Sequence, residues 1–371
     1  MKLVILKNNL KIGLESVSRA IGFNANLPII SNVLIKTHEN KIKLIATNLE
    51  IAIISFVSGK VIEDGSISVP YEIIYNVVNN ISSERINLES KNNNLIINTD
   101  NYEASIQGIN ESEFPIIPKI KDEKEYIEVR SIDLRDSLNK VVVAAGLSEL
   151  RPEINGVLFT IEPSIIKLTA TDSFRLAEAS INEAQFKNHL STGLKVVIPL
   201  KTAETISKII KDGETDSFIS IYFENNQILA KTDSTEIISR LIDGKFPDYE
   251  AIIPKSLYSE VIIERDELVK ALKLANSFAL RVKDVKIKSR DKKVLEIYSS
   301  DNSIGENKYM IPGKINGDDF ESTFNLKYFL DGAKTENSDR IYLGINEENK
   351  PALIKTPNST NYFYILMPVK A

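Results

Sequence analysis

The stretch Lys167-Leu-Thr-Ala-Thr-Asp-Ser-Phe-Arg-Leu-Ala-Glu-Ala-Ser-Ile181 has the pattern of a β-hairpin. Two strand-like segments, 166–170 and 175–181, flank a turn at Thr171-Asp172-Ser173. Asp and Ser favour turns because their side chains hydrogen-bond the backbone just beyond them. We therefore expect the turn to be held by its own side chains.

The same pattern occurs in each third of the chain. Residues 43–52 repeat it 124 positions earlier, with Thr47 in the place of Thr171. Residues 295–302 form a weaker third copy, about the same distance downstream. A period of this length far exceeds the roughly 20 to 50 residues of solenoid repeats. The sequence therefore predicts three complete copies of one domain in tandem.

Each third begins with an amphipathic segment of helical spacing and carries a second helical segment, which in the first two copies follows a Val-Pro or Ile-Pro step. The six predicted helices span 7–20, 71–80, 131–145, 200–212, 265–281 and 326–336. Strand-like segments surround both helices in every third. The predicted class is α+β, with two helices per copy packed on mainly antiparallel sheets.

Domain boundaries are predicted where polar, charged stretches separate the copies, near 118–124 and 254–259. The three domains are accordingly predicted at 1–120, 121–254 and 255–371.

The composition is that of an ordinary globular protein, with 43% hydrophobic and 26% charged residues. No apolar run approaches the roughly 20 residues of a membrane span. The absence of cysteine fits a reducing compartment, so we expect a cytoplasmic location.

Enzyme motifs are missing from the sequence. It contains no Gly-x-x-x-x-Gly-Lys-Ser/Thr, no Gly-x-Gly-x-x-Gly and no Gly-x-Ser-x-Gly. His38 and His189 each stand alone in polar surroundings, which favours exposed histidines over ligands or bases. We expect no catalytic residues, no metal site and no cofactor. A metal-dependent nuclease is the least favoured hypothesis.

Six short motifs are spread along the whole chain. They are Leu27-Pro-Ile-Ile30, Ala46-Thr-Asn-Leu-Glu50, Arg151 with Asn155-Gly-Val-Leu158, Ala170-Thr-Asp-Ser-Phe-Arg-Leu176, Asp243-Gly-Lys-Phe-Pro-Asp-Tyr249 and Met367-Pro-Val-Lys370. In their order and spacing, these motifs resemble those of the bacterial sliding clamp family, the beta subunit of DNA polymerase III.

This resemblance implies a non-catalytic processivity factor. Members of the family are head-to-tail homodimers whose six domains form a closed ring, of which this chain would be half. Duplex DNA passes through the hole without sequence recognition. DNA polymerase, the clamp loader and repair proteins bind the ring through short linear motifs.

The resemblance also implies a peptide pocket between the second and third domains. The matching positions are Arg151, Ile154, Thr171, Ser173, Phe174, Arg175, Leu176, Pro247, Ile252, Leu366, Met367, Pro368 and Val369. Among them, apolar side chains would accept Leu or Phe, and Met adapts to different ligands. Arg151 and Arg175 are expected to frame the rim and hold carbonyl or carboxylate groups.

Charge is distributed unevenly along the chain. The six predicted helices carry a net charge of +4, which leaves −9 for the rest of a chain whose total is −5. The resemblance implies that the helices line the hole of the ring. A mildly basic lining would hold DNA loosely enough to slide. The candidate DNA-facing residues are Lys7, Lys11, Arg19, Lys201, Lys208, Lys211, Lys270, Lys273 and Arg281.

A loose match to the family places the dimer contact between an edge strand of the first domain and a segment of the third. The candidate contact residues are Ala104, Ile106, Phe278 and Leu280. They are expected to be apolar groups that a single chain leaves exposed. The alternative from another class is a tandem-domain scaffold that binds peptides but never encircles DNA.

Overall fold

The computed structural model describes residues 1–120, 123–210, 217–224, 226–279, 283–347 and 349–369. In this part of the chain, six α-helices occupy the predicted places. They are α1 (Lys7–Val17), α2 (Tyr71–Asn80), α3 (Ser131–Val141), α4 (Leu200–Ile209), α5 (Arg265–Asn276) and α6 (Leu326–Thr335).

Several helices are shorter than predicted. The segments 18–20 and 142–144 form single 3-10 turns after α1 and α3 instead of continuing the helix. Pro70 is the last residue of a strand and is also the N-cap residue of α2. The helix therefore begins directly after the proline, at Tyr71.

Strands surround these helices in the first third of the chain. They are β1 (Lys2–Leu6), β2 (Asn32–His38), β3 (Lys41–Thr47), β4 (Ile51–Val57), β5 (Gly59–Glu63), β6 (Gly65–Pro70), β7 (Arg85–Lys91), β8 (Asn94–Asn98) and β9 (Glu103–Gln107).

The middle of the chain repeats the arrangement. Its strands are β10 (Tyr126–Arg130), β11 (Gly156–Glu162), β12 (Ile165–Thr171), β13 (Arg175–Asn182), β14 (Phe186–Asn188), β15 (Leu194–Pro199), β16 (Phe218–Glu224), β17 (Gln227–Lys231) and β18 (Thr235–Arg240).

The last third has one very long strand in place of two shorter ones. Its strands are β19 (Ser259–Glu264), β20 (Asp284–Arg290), β21 (Val294–Asp301), β22 (Gly305–Gly317), β23 (Glu321–Asn325), β24 (Arg340–Ile345), β25 (Ala352–Lys355) and β26 (Tyr362–Leu366).

Backbone contacts divide the chain into two compact units. The first unit contains 1–132, 186–191 and 208–241, and the second contains 133–185, 192–207 and 242–371. The middle third thus contributes strands to both units, since β18 pairs with β4 and β13 pairs with β26. These strand pairs explain why the compact units cut across the three sequence copies.

All strand pairs in the described residues are antiparallel. The first unit has a five-stranded sheet in the order β5-β1-β7-β8-β9 and a nine-stranded sheet in the order β14-β10-β16-β17-β18-β4-β3-β2-β6. The second unit has a twelve-stranded sheet in the order β15-β11-β12-β13-β26-β25-β24-β19-β22-β21-β20-β23.

Helix α1 shows how a helix packs on a sheet in the first unit. Leu10, Leu14 and Val17 recur at three- and four-residue spacing and are completely buried. Burying each such side chain stabilises the fold by about 1.5–3 kcal/mol. At Gly13 a Cβ atom would lie only 2.4 Å from Val57 Cγ1, so glycine permits the close approach of this helix to β4.

None of the helices in the described ranges has both the length and the apolar content needed to span a membrane.

Candidate functional site

The hairpin turn between β12 and β13 is held by its own side chains, as the sequence predicts. Thr171 Oγ1 donates to the Arg175 carbonyl at 2.7 Å and accepts from Ser173 N at 3.1 Å. Asp172 Oδ1 accepts from the backbone amides of Phe174 at 2.9 Å and Arg175 at 3.0 Å. Ser173 adopts a positive φ of 77°. The backbone of this turn is therefore fixed, and the turn can form one wall of a neighbouring cavity.

Arg175 anchors this turn to α6 within the second unit. Its side chain is 9% exposed, and its Nε donates to Asp172 Oδ2 at 2.9 Å. One terminal nitrogen donates to Asp331 Oδ2 at 2.7 Å, and the guanidinium carbon lies 4.1 Å from the centre of the Tyr328 ring. Burial alone would lower the pKa of Arg175, but Tyr364, Asp331 and Asp172 outweigh it and raise the pKa. Arg175 is a buried, charged anchor.

Arg151 is the accessible cation of the pair. Its side chain is 44% exposed, its Nε donates to Glu153 Oε1 at 3.2 Å, and a terminal nitrogen donates to Ser173 Oγ at 2.9 Å. Both arginines expected at the rim line the same cavity, but only Arg151 has an exposed side chain. The physical reason is that two carboxylates draw Arg175 inward.

Between these groups lies a cavity of about 190 Å³, which we call the Met367 cavity. The residues that line it are Arg151, Thr171, Ser173, Arg175, Leu176, Pro247, Asp248, Tyr249, Ile252, Ile365 and Met367. Leu176 and Ile365 are completely buried members of an apolar cluster that also contains Phe246 and Tyr249. The cavity therefore combines an apolar floor with a polar edge.

Tyr249 is fixed in this wall by a buried hydrogen bond. Its hydroxyl donates to Glu178 Oε2 at 2.6 Å, and Glu178 is 7% exposed. Burial first, and then the bond to Glu178, raises the pKa of Tyr249 well above its ordinary value. The phenol therefore stays neutral and holds the wall in place.

The last described residues complete the cavity instead of fraying. Met367 N donates to the Phe174 carbonyl at 2.9 Å, which extends the pairing of β26 with β13. Val369 N donates to the Thr323 carbonyl at 2.8 Å on β23. Residues 367–369 are thus tied at both ends, and Met367 is held against the turn.

The structure brings eight of the predicted pocket residues together around this cavity. The other five do not line it: Ile154, Phe174, Leu366, Pro368 and Val369. Ile154 and Leu366 are core residues, at 3% and 0% exposure, whereas Phe174 is 62% exposed beside the turn. Sequence reasoning missed Asp248, Tyr249 and Ile365. The Pro247-Asp248-Tyr249 motif contained the signal for the first two, and Ile365 directly precedes the predicted Leu366.

The predicted DNA-facing cations fall into two groups. Lys7 is not a free surface charge, because its ammonium group donates to the backbone carbonyls of Asn79, at 3.3 Å, and Ile81 at the end of α2. Lys11 pairs with Glu15 at 3.8 Å, and Lys270 pairs with Glu267 at 3.6 Å.

The remaining predicted cations form the second group. Arg19, Lys201 and Lys273 lie at the surface, and the described residues provide no ion pair or side-chain hydrogen bond for any of them. Lys208 is exposed but has a partner. Lys211 and Arg281 lie outside the described residues.

The predicted dimer residues are only partly exposed. β9 is an edge strand of the five-stranded sheet, as expected, but Ile106 is 5% exposed and packs inward. Its exposure was predicted wrongly because alternation along β9 directs it to the core. Ala104 and Phe278 are half-buried, and Leu280 lies outside the described residues.

Family models match almost the whole chain. The DNA polymerase III beta subunit N-terminal domain matches residues 1–118, the central domain matches 128–248, and the C-terminal domain matches 250–370. Three such domains in this order define a three-domain clamp. The chain belongs to the DNA polymerase III beta subunit family.

Curated relatives agree over the full length. The beta sliding clamp of Bacillus subtilis is 27% identical over 382 residues, covering 100% of both chains. The beta sliding clamp of Staphylococcus aureus strain Mu50 is 26% identical and covers 100% of this chain and 99% of its own. Beta sliding clamps are non-catalytic processivity subunits of DNA polymerase III, in agreement with the sequence-based expectation.

Solved structures confirm the fold. The DNA polymerase sliding clamp of Bacillus subtilis has a TM-score of 0.93 at 27% identity, over 100% of this chain and 99% of that one. The DNA polymerase III beta subunit of Thermotoga maritima has a TM-score of 0.91 at 24% identity, with the same coverage.

Proposed function

We propose that two copies of this chain join head to tail into a ring around duplex DNA. In this proposal, each chain supplies three domains, at 1–120, 121–254 and 255–371, and acts in the cytoplasm. DNA polymerase, the clamp loader and repair proteins are tethered through short linear motifs in the Met367 cavity. The observation that carries the proposal is the full-length match to the beta subunit domains.

The exposed helix cations support loose contact with DNA. Arg19 follows α1, Lys201 lies on α4 and Lys273 lies on α5. Each presents a positive charge without a neutralising partner among the described residues. Contacts of this kind to phosphates are screened by salt and exchange readily, so they permit sliding.

The chemistry of the Met367 cavity supports peptide docking. Pro247, Ile252 and Met367 offer apolar surface to Leu or Phe side chains, and the unbranched Met adapts its shape to different ligands. Arg151 offers hydrogen-bond donors at the rim to a peptide carbonyl or carboxylate.

The edge strand β9 supports head-to-tail association. Among the described residues, β9 is paired on one side only, with β8, so its other side presents backbone N–H and C=O groups to a partner. A heterologous contact of this kind, between an edge of the first domain and the segment near Phe278 of a second copy, closes a ring when the rotation is right.

The association is tested by sedimentation equilibrium over a micromolar dilution series. We expect a species of about twice the 41.6 kDa chain mass. A monomer at every concentration would contradict the ring, because one chain has too few domains to close it. Larger open-ended chains of copies would also contradict it, since a heterologous contact that does not close forms filaments.

A further inference from the structure

A second cavity in the first unit is built on the earlier copy of the same hairpin. It has a volume of about 240 Å³, and we call it the Arg240 cavity. The lining residues that matter here are Leu49, Pro115, Ile116, Pro118, Gln227 and Arg240. It lies on the turn between β3 and β4, which the sequence relates to the turn of the Met367 cavity by 124 positions.

The two turns share the hydrogen bonds made by their threonine and their Asn or Asp side chain. Thr47 Oγ1 donates to the Ile51 carbonyl and accepts from Leu49 N, both at 3.0 Å. Asn48 Oδ1 accepts from the amides of Glu50 at 3.1 Å and Ile51 at 2.9 Å. Leu49 has a φ of 77°, the same value as Ser173 in the later copy. The backbone of the turn is therefore held by equivalent side-chain hydrogen bonds in both cavities.

The opposite strands also correspond. Arg240 N donates to the Glu50 carbonyl at 3.3 Å, as Met367 N does to Phe174. Ala52 pairs with Ile238 in the first unit, as Leu176 pairs with Ile365 in the second. Arg240 thus occupies in its cavity the place that Met367 occupies in the other.

The apolar part of the Arg240 cavity is uncovered. Ile116 is 95% exposed and Leu49 is 52% exposed, and both line the cavity with Pro115 and Pro118. Large apolar side chains that cluster in water at a concave surface mark a binding surface. An apolar side chain of a ligand would cover Ile116 and Leu49.

The polar part of the cavity could bind a negatively charged group and a hydrogen-bond donor of a ligand. Arg240 is exposed, and the described residues form no ion pair with it, although Glu50 also lines the cavity. Gln227 Oε1 is buried and accepts no hydrogen bond from any described residue. A carboxylate would pair with Arg240, and a peptide N–H would satisfy Gln227.

We propose that the Arg240 cavity binds an extended segment of a partner protein in which an apolar residue adjoins Asp or Glu. The proposal rests on the proposed peptide docking at the Met367 cavity, because the two cavities share one hairpin design. The ligand of the Arg240 cavity is expected to differ from that of the Met367 cavity. The accessible Arg240 stands in the place of Met367, and Ile51 stands in the place of the buried Arg175. One clamp chain would then hold two partner segments of different chemistry.

The test uses a displayed library of random linear decapeptides selected on the full-length protein. Selection is performed on the wild type and on Met367→Glu, which closes the first cavity to apolar ligands. Peptides enriched on Met367→Glu are expected to carry an apolar residue beside Asp or Glu. Their affinity is expected to fall at least tenfold on Arg240→Glu and on Ile116→Asp.

Arg85→Glu is the matched control, because Arg85 is an exposed arginine of the first unit that does not line the cavity. It should leave the affinity of the enriched peptides unchanged, and all variants should keep the wild-type thermal midpoint. Enrichment of no peptide on Met367→Glu, or of peptides insensitive to Arg240→Glu and Ile116→Asp, overturns the proposal.

The library also separates this proposal from the proposed function. Wild-type selections that yield only peptides sensitive to Met367→Glu support docking at the Met367 cavity and overturn the second site. Peptides sensitive only to Arg240→Glu support the second site and contradict the first. Enriched peptides whose affinity changes with neither Met367→Glu nor Arg240→Glu overturn both proposals.

Discussion

Deletion of Met367 to Ala371 is expected to weaken binding of a partner peptide at least tenfold, about 1.4 kcal/mol. Met367 forms part of the apolar lining, and its backbone amide extends β26 along the turn by the bond to Phe174. The deletion removes this surface but leaves β26 intact through Leu366, which is fully buried. Folding and self-association should therefore persist.

The measurement is fluorescence anisotropy of a labelled decapeptide with adjacent Leu and Phe residues. Val369→Ala is the matched control, because Val369 is 40% exposed in the same tail and does not line the cavity. The control should bind as the wild type does. Unchanged affinity after the deletion would place peptide docking elsewhere on the protein.

Arg175→Ala is expected to lower the free energy of unfolding by about 3 kcal/mol, because it leaves two carboxylates without their partner. Asp172 and Asp331 are 13% and 26% exposed, so water compensates them only in part. The loss of the contact with the Tyr328 ring adds to the effect. The turn that carries Ser173 and Phe174 should then loosen, and peptide affinity should fall as a consequence.

Arg151→Ala is the comparison variant at the same cavity. Arg151 is 44% exposed, and its bonds to Glu153 and Ser173 lie at the surface, so unfolding should change by less than about 1 kcal/mol. Peptide affinity should still decrease because a rim donor is lost. Urea denaturation of the two variants distinguishes the roles. Equal stabilities would contradict the assignment of Arg175 as a buried anchor.

Local patterns in the sequence were sufficient for much of the fold. The 124-residue offset between Thr47 and Thr171 predicts two copies of one turn, and the two threonines make the same hydrogen bond. Helical spacing placed the starts of all six helices correctly. These features depend on residues close together in the chain, which is why periodicity and turn chemistry detect them.

Contacts between distant residues could not be predicted in this way. One of the two carboxylates that bind the buried Arg175 is Asp331, 156 positions away, so the sequence alone does not show that this arginine is buried. The ammonium group of Lys7 donates a hydrogen bond to the carbonyl of Asn79, 72 positions away, although the pattern of its own helix indicates a free charge. The division into two compact units likewise depends on pairing of β18 with β4 and β13 with β26.

Retention on DNA tests enclosure most directly. The protein is loaded onto a nicked circular plasmid with its clamp loader, washed in salt high enough to abolish electrostatic binding, and assayed before and after a restriction enzyme linearises the circle. We predict that it stays on the circle in high salt and leaves once the DNA is linear. Release from the circle at high salt, or equal retention on both forms, would contradict a ring that holds DNA by topology.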